Sequence, residues 1–381
     1  MFTFYEFFAG GGMARAGLGE NWTCLFANDF DHKKGRTYAD NWGELGLKVA
    51  DIGSVSTKDL PGRADLAWAS FPCQDLSLAG AGAGLRGERS GTFWPFWRLM
   101  KAIKEEGRPP RTIILENVCG MLTSHGGKDF GAICDSLREI GYHFGAVVVD
   151  AAMFTPQSRP RLIIIAVRDA HLLPPNVQRC FPSESWHTQT LVRAYKSLSE
   201  LSQNRWIWWD LPRPIARVQT LADIVDNSAD TPEWFTPEQV KSLLSMMSSV
   251  NRAKVTKAMR YGRRIVGSVY KRTRICKDGK KLQRAEVRFD GLSGCLRTPA
   301  GGSSRQVLLV IDGNSVRARL ISIRETARLM GLSEEYQLPK NYNEGYHLTG
   351  DGVAVPVVSF IARHLVEPIL VKASENDCVA A

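Results

Sequence analysis

The first 170 residues alternate between short, mainly apolar runs and helix-like stretches, and this alternation constrains the fold more than any other feature. Phe2 to Phe8, Trp22 to Ala27, Gly46 to Ala50, Ala64 to Phe71 and Arg111 to Leu115 read as strands, bounded by glycine, proline or acidic residues. Helices fit Met13 to Leu18, Gly91 to Glu106 and Gly127 to Ile140 between them. Strands separated by helices imply right-handed parallel crossovers, so the expected fold is α/β with a doubly wound, mostly parallel sheet. His143 to Asp150 and Arg161 to Val167 are close enough in sequence to add an antiparallel pair.

Each of the first five runs leads into a residue able to bind or react: Gly10, Asp29, Asp51, Cys73 and Glu116. In open parallel sheets the strand ends share one crevice, so five dispersed residues become one candidate site. A lone cysteine is most often a small buried hydrophobe, and it is this convergence that gives Cys73 a chemical reading. Gly10-Gly11-Gly12 lets a backbone approach a nucleotide beside the following helix. Arg15 stands where the dinucleotide fingerprint GxGxxG has its third glycine, which favours a nucleoside over a pyrophosphate. Asp29 suits two ribose hydroxyls and Asp51 an amino group on adenine. A thiolate at Cys73 and a carboxyl at Glu116 fit attack on an electron-poor heterocycle, with the acid activating the ring. Arg159 and Arg161, in Gln157-Ser158-Arg159-Pro160-Arg161, add two cations.

The chain has 381 residues and a net charge of +10, and one segment carries the whole excess. From Val250 to Asp290 there are 14 Lys/Arg and 3 Asp/Glu; the remainder has 35 and 36. Tyr261, Val266, Val269, Tyr270, Ile275 and Phe289 interleave with those charges, as in a folded polyanion-binding surface. Between Pro174 and Pro237 prolines and tryptophans crowd the sequence, and a domain boundary is placed near 170. Ser322-Ile323-Arg324-Glu325 is a capping box for a helix that Gly331 ends, and Val353 to Leu365 reads as a final amphipathic stretch. Eight scattered cysteines without a CxxC pair argue against structural zinc. No continuous apolar run reaches the roughly 18 residues of a membrane span, and the N-terminus lacks signal-peptide character, so a cytoplasmic protein with no membrane partner is expected.

Phe8-Ala9-Gly10-Gly11-Gly12, Pro72-Cys73-Gln74, Glu116-Asn117-Val118, Gln157 to Arg161 and Gly350 to Val355 resemble, in order and spacing, the motif set of bacterial-type DNA cytosine-5 methyltransferases. The resemblance covers residues 2 to 168 and 320 to 367. It implies a Rossmann-like, S-adenosylmethionine-dependent methyltransferase domain over 1–169, a smaller irregular target-recognition domain over 170–319, and a C-terminal segment over 320–381 that returns to the first domain. It implies methylation of C5 of a flipped cytosine within a short sequence of double-stranded DNA, through a covalent Cys73–C6 adduct. Glu116 would contact N3 and the exocyclic amine, and Arg159 and Arg161 would hold the base and the catalytic loop. Phe8, Gly10, Gly12, Asp29, Asp51, Pro72, Thr92, Phe93, Asp351, Gly352 and Val353 would line the cofactor. Asp29 departs from the glutamate more common in the family, and Asp351 from an asparagine that is also common there. The loop Ser77 to Ser90 would be the lid. The chain would act as a monomer, with a separately encoded restriction endonuclease or as an orphan. The rival readings are an RNA cytosine-5 methyltransferase and a non-catalytic DNA-binding regulator on the same scaffold.

Overall fold

The structure, a computed structural model, describes residues 1–72, 92–226, 231–275, 281–298 and 305–380. Cys73 and the 77–90 loop lie outside the described residues. Two compact units divide the chain: Met1–Asp150, Pro160–Ile215 and Val353–Ala381 form the first, Ala151–Arg159 and Ala216–Gly352 the second.

The first unit is built in the expected alternating manner. β1 (Phe2–Phe7), α1 (Met13–Leu18), β2 (Trp22–Asp29), α2 (His32–Trp42), β3 (Leu47–Val49), β4 (Leu66–Ala69), α3 (Phe93–Glu105), β5 (Thr112–Val118), α4 (Lys128–Glu139), β6 (His143–Asp150) and β7 (Pro160–Val167) follow in order. The sheet order is β3-β2-β1-β4-β5-β7-β6. β1 to β5 run parallel, and β7 pairs antiparallel with both β5 and β6. The order reverses between β1 and β4, which opens a crevice at their carboxyl ends. Two strands outrun the apolar runs that announce them. β2 continues through Asp29 because Asn28 and Asp29 pair with Lys48 and Val49 of β3. β5 continues through Val118 because that residue still pairs with Arg161. Glu116 therefore sits within a strand rather than beyond its end.

One core residue of β1 is ionisable. Glu6 is 1% exposed; its Oε1 accepts from Arg15 N at 3.3 Å, and its Oε2 has no hydrogen-bond partner. Burial pushes its carboxyl up to about 8, against the pull of the Arg15 and Ala14 backbone N–H groups and the Arg15 charge.

After β7 the chain stays on the first unit. β8 (Gln178–Arg179) pairs antiparallel with β9 (Trp208–Trp209), and α5 (Gln189–Lys196) and α6 (Glu200–Gln203) lie between them in sequence. The aromatic residues expected to mark an irregular segment instead build a cluster: Trp206 meets Phe130, Phe144, Tyr195 and Trp208 at centroid distances of 5.2–6.1 Å.

The second unit is more regular than its composition implies. α7 (Pro237–Ser245) and α8 (Ser249–Met259) precede β10 (Ile265–Ile275), β11 (Lys281–Arg288), β12 (Val307–Asp312) and β13 (Ser315–Leu320), an antiparallel sheet in the order β11-β10-β12-β13. One face buries Val269, Ala285, Val287, Val307, Leu309, Ile311 and Ala318 against Val240, Leu243, Val255 and Ala258 of the two helices and Met247 between them. The prolines from Pro174 to Pro237 fall before these strands, so they leave the ladder intact. α9 (Ile323–Met330) starts at the capping box and stops at Gly331, whose φ of 74° is left-handed. Within it Glu325 is fully buried against Arg319, with Nη2–Oε1 at 2.6 Å and Nη1–Oε2 at 2.8 Å; Ser322 N and Asp226 N donate to the same carboxylate. α10 (Tyr342–Asp351) closes the unit, and the chain re-enters the first unit as α11 (Val355–Ile361), which packs on α1, and α12 (Glu367–Ala380). The helical run Tyr342–Asn376 is apolar enough by composition to cross a membrane, unlike any continuous run in the sequence, but 56% of its apolar window is buried within the protein, as in a core helix.

Two stability predictions follow from the buried charges. Glu325→Gln leaves Arg319 buried without its counter-charge and destabilises the second unit by about 3–5 kcal/mol, whereas the joint change Glu325→Gln with Arg319→Met restores part of the loss; urea denaturation of the three chains reads the difference. Glu6 holds its proton more tightly folded than unfolded, so stability falls as pH rises from its ordinary range to about 8. Glu6→Gln removes that fall, and its advantage over the parent chain, measured as thermal midpoint, should be larger at pH 8.5 than at pH 5.

Candidate active site

The crevice between β1 and β4 receives one wall from each neighbouring strand end. β1 leaves its strand through Phe8, whose φ of 57° turns the chain sharply, and Gly10 and Gly12 follow with φ of 57° and 78°. A Cβ on Gly12 would lie 2.4 Å from Trp42 Nε1, so a side chain there displaces the indole that donates to Gly11 O. A Cβ on Gly10, by contrast, would meet nothing within 4 Å, which leaves open space beside the turn. Arg15 is not spare at the position where a third glycine was sought. Its Nη1 donates to Tyr38 Oη at 3.1 Å, and its guanidinium lies over the Tyr38 and Trp42 rings.

Asp29 is 6% exposed and fixed by the backbone: Oδ2 accepts from Gly10 N at 2.8 Å and Oδ1 from Asp31 N at 2.9 Å. Burial pushes its carboxyl above the ordinary carboxylate range, while Lys34 and those two N–H groups act in the opposite sense. Each oxygen keeps a lone pair for a further donor. Asp51 lies exposed after β3 and accepts from Gly53 N at 2.7 Å. Its strand is tied to β2 by Asn28, whose amide donates to Lys48 O and Ala50 O. The open space at Gly10 and the two carboxylates, one buried and one exposed, fit a nucleoside with a ribose diol and an exocyclic amine.

Sequence reasoning missed Phe30, which follows Asp29 directly and is 64% exposed. An aromatic ring left in water at the ligand-binding edge of a parallel sheet, beside two carboxylates, offers a nucleobase a stacking face. Its signal in the sequence was only its place directly after Asn28-Asp29 at the end of the second strand.

β4 delivers Phe71 and Pro72 to the crevice, and Asn117 of β5 secures them, donating from Nδ2 to Phe71 O at 3.3 Å. Asn117 is 3% exposed and its Oδ1 accepts from Val118 N, so its amide is fixed at both ends. It too was passed over, being read only as a neighbour of Glu116. Phe71 packs on Phe8 and Phe93, at 6.5 and 5.3 Å between centroids. Phe93 is fully enclosed and stacks on Trp97, so its ring shapes the wall from behind. Thr92, just before α3, is half-buried.

Glu116 and Arg161 come together on adjacent strands. Arg161 Nε lies 2.9 Å from Glu116 Oε1, and the two side chains are 14% and 8% exposed. Arg161 also donates to Pro160 O. Arg159, two residues earlier, has another setting. In the second unit, 2% exposed, its Nη1 donates to Leu296 O at 2.9 Å and its Nη2 to Gly350 O and Gly352 O at 2.8 and 2.7 Å. Gln157 works beside it, donating to Leu329 O and accepting from Leu296 N. Asp351 accepts from Thr298 Oγ1 in that unit, while Val353 is buried in the first.

Residues 2–367 match the model of the C-5 cytosine-specific DNA methylase family. Three type II methyltransferases are among the relatives. M.HpaII of Haemophilus parainfluenzae is 24% identical over 97% of this chain and 90% of its own length, and M.HhaI of Haemophilus parahaemolyticus 24% over 95% and 93%. M.BsuFI of Bacillus subtilis is 35% identical, over 43% of this chain and 38% of that enzyme. Among solved structures, the Schizosaccharomyces pombe Dnmt2 methyltransferase superposes with a TM-score of 0.60 at 19% identity, covering 97% of this chain and 99% of that one. The Entamoeba histolytica methyltransferase EhMeth gives 0.63 at 14%, covering 98% and 99%. These likenesses carry the fold, and the family model carries more: spanning nearly the whole sequence, it places this chain in the C-5 cytosine-specific DNA methylase family.

Proposed function

We propose that the protein transfers a methyl group from S-adenosylmethionine to C5 of a cytosine within a specific short sequence of double-stranded DNA. The observation that supports this most directly is the Glu116–Arg161 pair, held beside the chain that leads to Cys73. When bound, S-adenosylmethionine supplies an electrophilic methyl group. Phe8, Gly10, Gly12, Asp29, Asp51 and Pro72 would hold its nucleoside, where Phe30 would offer a stacking face and Asp29 would accept from hydroxyl donors. Phe93 would support that wall from the core, and Val353 would contribute from the segment that re-enters the first unit.

Cys73 adds as thiolate to C6 of the flipped cytosine, while Glu116 contacts N3 and the exocyclic amine. The addition makes C5 nucleophilic and poises it for methylation; loss of the C5 proton and expulsion of Cys73 then restore aromaticity. Arg161 orients Glu116 and contacts the base. Arg159 acts as a positioning residue, since its two Nη groups donate to carbonyls of its own unit. Asn117 positions the approach to Cys73 through Phe71. The reaction serves either as the modification half of a restriction-modification pair or alone.

Labelled cofactor incubated with duplex DNA or RNA decides the substrate: label in DNA is expected, and label in RNA alone overturns the reading. Cys73→Ala should leave host DNA unmethylated on expression, which a non-catalytic regulator would not require, and Glu116→Gln should lower kcat by about 10²–10⁴-fold. Phe30→Ala should weaken cofactor binding by about 1–3 kcal/mol with kcat little changed, as isothermal titration and saturation kinetics would show.

A further inference from the structure

The basic block of the second unit contains two kinds of cation. Lys257, Arg260, Arg263 and Arg264, on α8 and the turn after it, are all exposed, and none makes an ion pair among the described residues. Tyr261, 55% exposed, stands among them. Arg272 of β10 is different. It lies on the sheet face opposite Val269, Ala285 and Val287, with Tyr270, Arg284 and Glu286. Its Nη2 donates to Tyr270 Oη at 2.6 Å, its guanidinium carbon lies 4.6 Å from that ring's centroid, and its Nε faces Glu286 Oε2 at 3.5 Å. The side chain is nevertheless 40% exposed, and Nη1 is unclaimed among the described residues.

Resting on the reading that the chain acts on duplex DNA, we propose that Arg272 reads a guanine of the target sequence, while the cations of α8 and its following turn hold phosphates. Three observations support the division. β10 and β11 form a two-stranded ribbon at the sheet edge, a shape the major groove admits. A guanidinium fixed by a phenol and a carboxylate keeps its fork in one plane, as bidentate contact with guanine O6 and N7 requires; a mobile cation satisfies a phosphate equally well. Glu286 repels phosphate but tolerates an uncharged base edge, so an arginine tied to it makes a poor backbone clamp. Arg272 also pairs directly across the ladder with Arg284, a like-charge arrangement that destabilises an isolated hairpin and that an adjoining polyanion relieves.

The test compares the parent chain with Arg272→Lys, Tyr270→Phe and the double change Arg263→Ala with Arg264→Ala. Methylated cytosines are sequenced in a methylation-free host, and salt-dependent binding to target and non-target duplexes is measured in vitro. Arg272→Lys keeps the charge and should relax one guanine position, with discrimination there falling about 5- to 150-fold and the salt slope unchanged. Tyr270→Phe should do the same more weakly. The double change should keep the site and lower the log–log salt slope by about 1.8. Arg272→Lys with the parent's site preference overturns the assignment, as does a uniform loss on all sequences with a smaller slope. If the parent chain itself methylates no duplex cytosine, the functional reading fails, and the assignment fails with it; that result appears in the parent sample alone.

Discussion

The reversal of strand order between β1 and β4 is the constraint on which the rest of the catalytic unit depends. Parallel strands need crossovers, and crossovers that leave in opposite directions from adjacent strands cannot cover the gap between their carboxyl ends. The turns that leave β1, β3 and β4 are each held by a polar contact: Asp29 grips the Gly10 amide, Asn28 ties β2 to the exit of β3, and Asn117 holds the exit of β4. The side chains that secure the crevice come from strand ends, where hydrophobic burial gives way to hydrogen bonding. A residue at such a place can fix the backbone and still keep acceptor capacity, as the Asp29 carboxylate does.

Arginine has three separate uses in this chain, and surroundings rather than sequence spacing decide among them. Arg319 is fully buried and balanced by Glu325, so it is structural. Arg159 is almost as buried, and its Nη groups donate to the carbonyls of Leu296, Gly350 and Gly352, which lets it brace the segment before Val353. Arg161 is partly open and paired with Glu116, so its charge is balanced at the sheet surface. The QSRPR motif thus contains one brace and one partner of Glu116 two residues apart, because β7 begins only at Pro160 and the preceding residues belong to the second unit.

The parallel sheet was legible in the sequence because apolar runs and helices alternate and because each run leads to a polar or glycine residue. Strand ends were less so: β2 and β5 extend into Asn28-Asp29 and Glu116-Asn117-Val118, where pairing with a neighbour outweighs the polarity of the side chains. Glu116 and Asp29 were readable as chemistry; Asn117 and Phe30 were not. An asparagine that braces a carbonyl 46 residues away leaves no local pattern, and an exposed phenylalanine cannot be told from a core one without coordinates. The tryptophan-rich stretch was read as irregular, although its rings cluster in the first unit, since aromatic contacts at long sequence separation have no period.

Charge density in the basic block has two consequences that act on different steps. Exposed, unpaired cations draw in duplex DNA at long range and without regard to sequence, and salt screens them. A cation already engaged by a carboxylate contributes little to that pull, because its field is partly cancelled at a distance; its value lies at contact, where its donors are oriented before the base arrives. Glu286 therefore subtracts from affinity and adds to selectivity. A surface made only of unpaired arginines would bind DNA more tightly and choose among sequences less well, and the acid opposite Tyr270 is what separates those two properties on one sheet face.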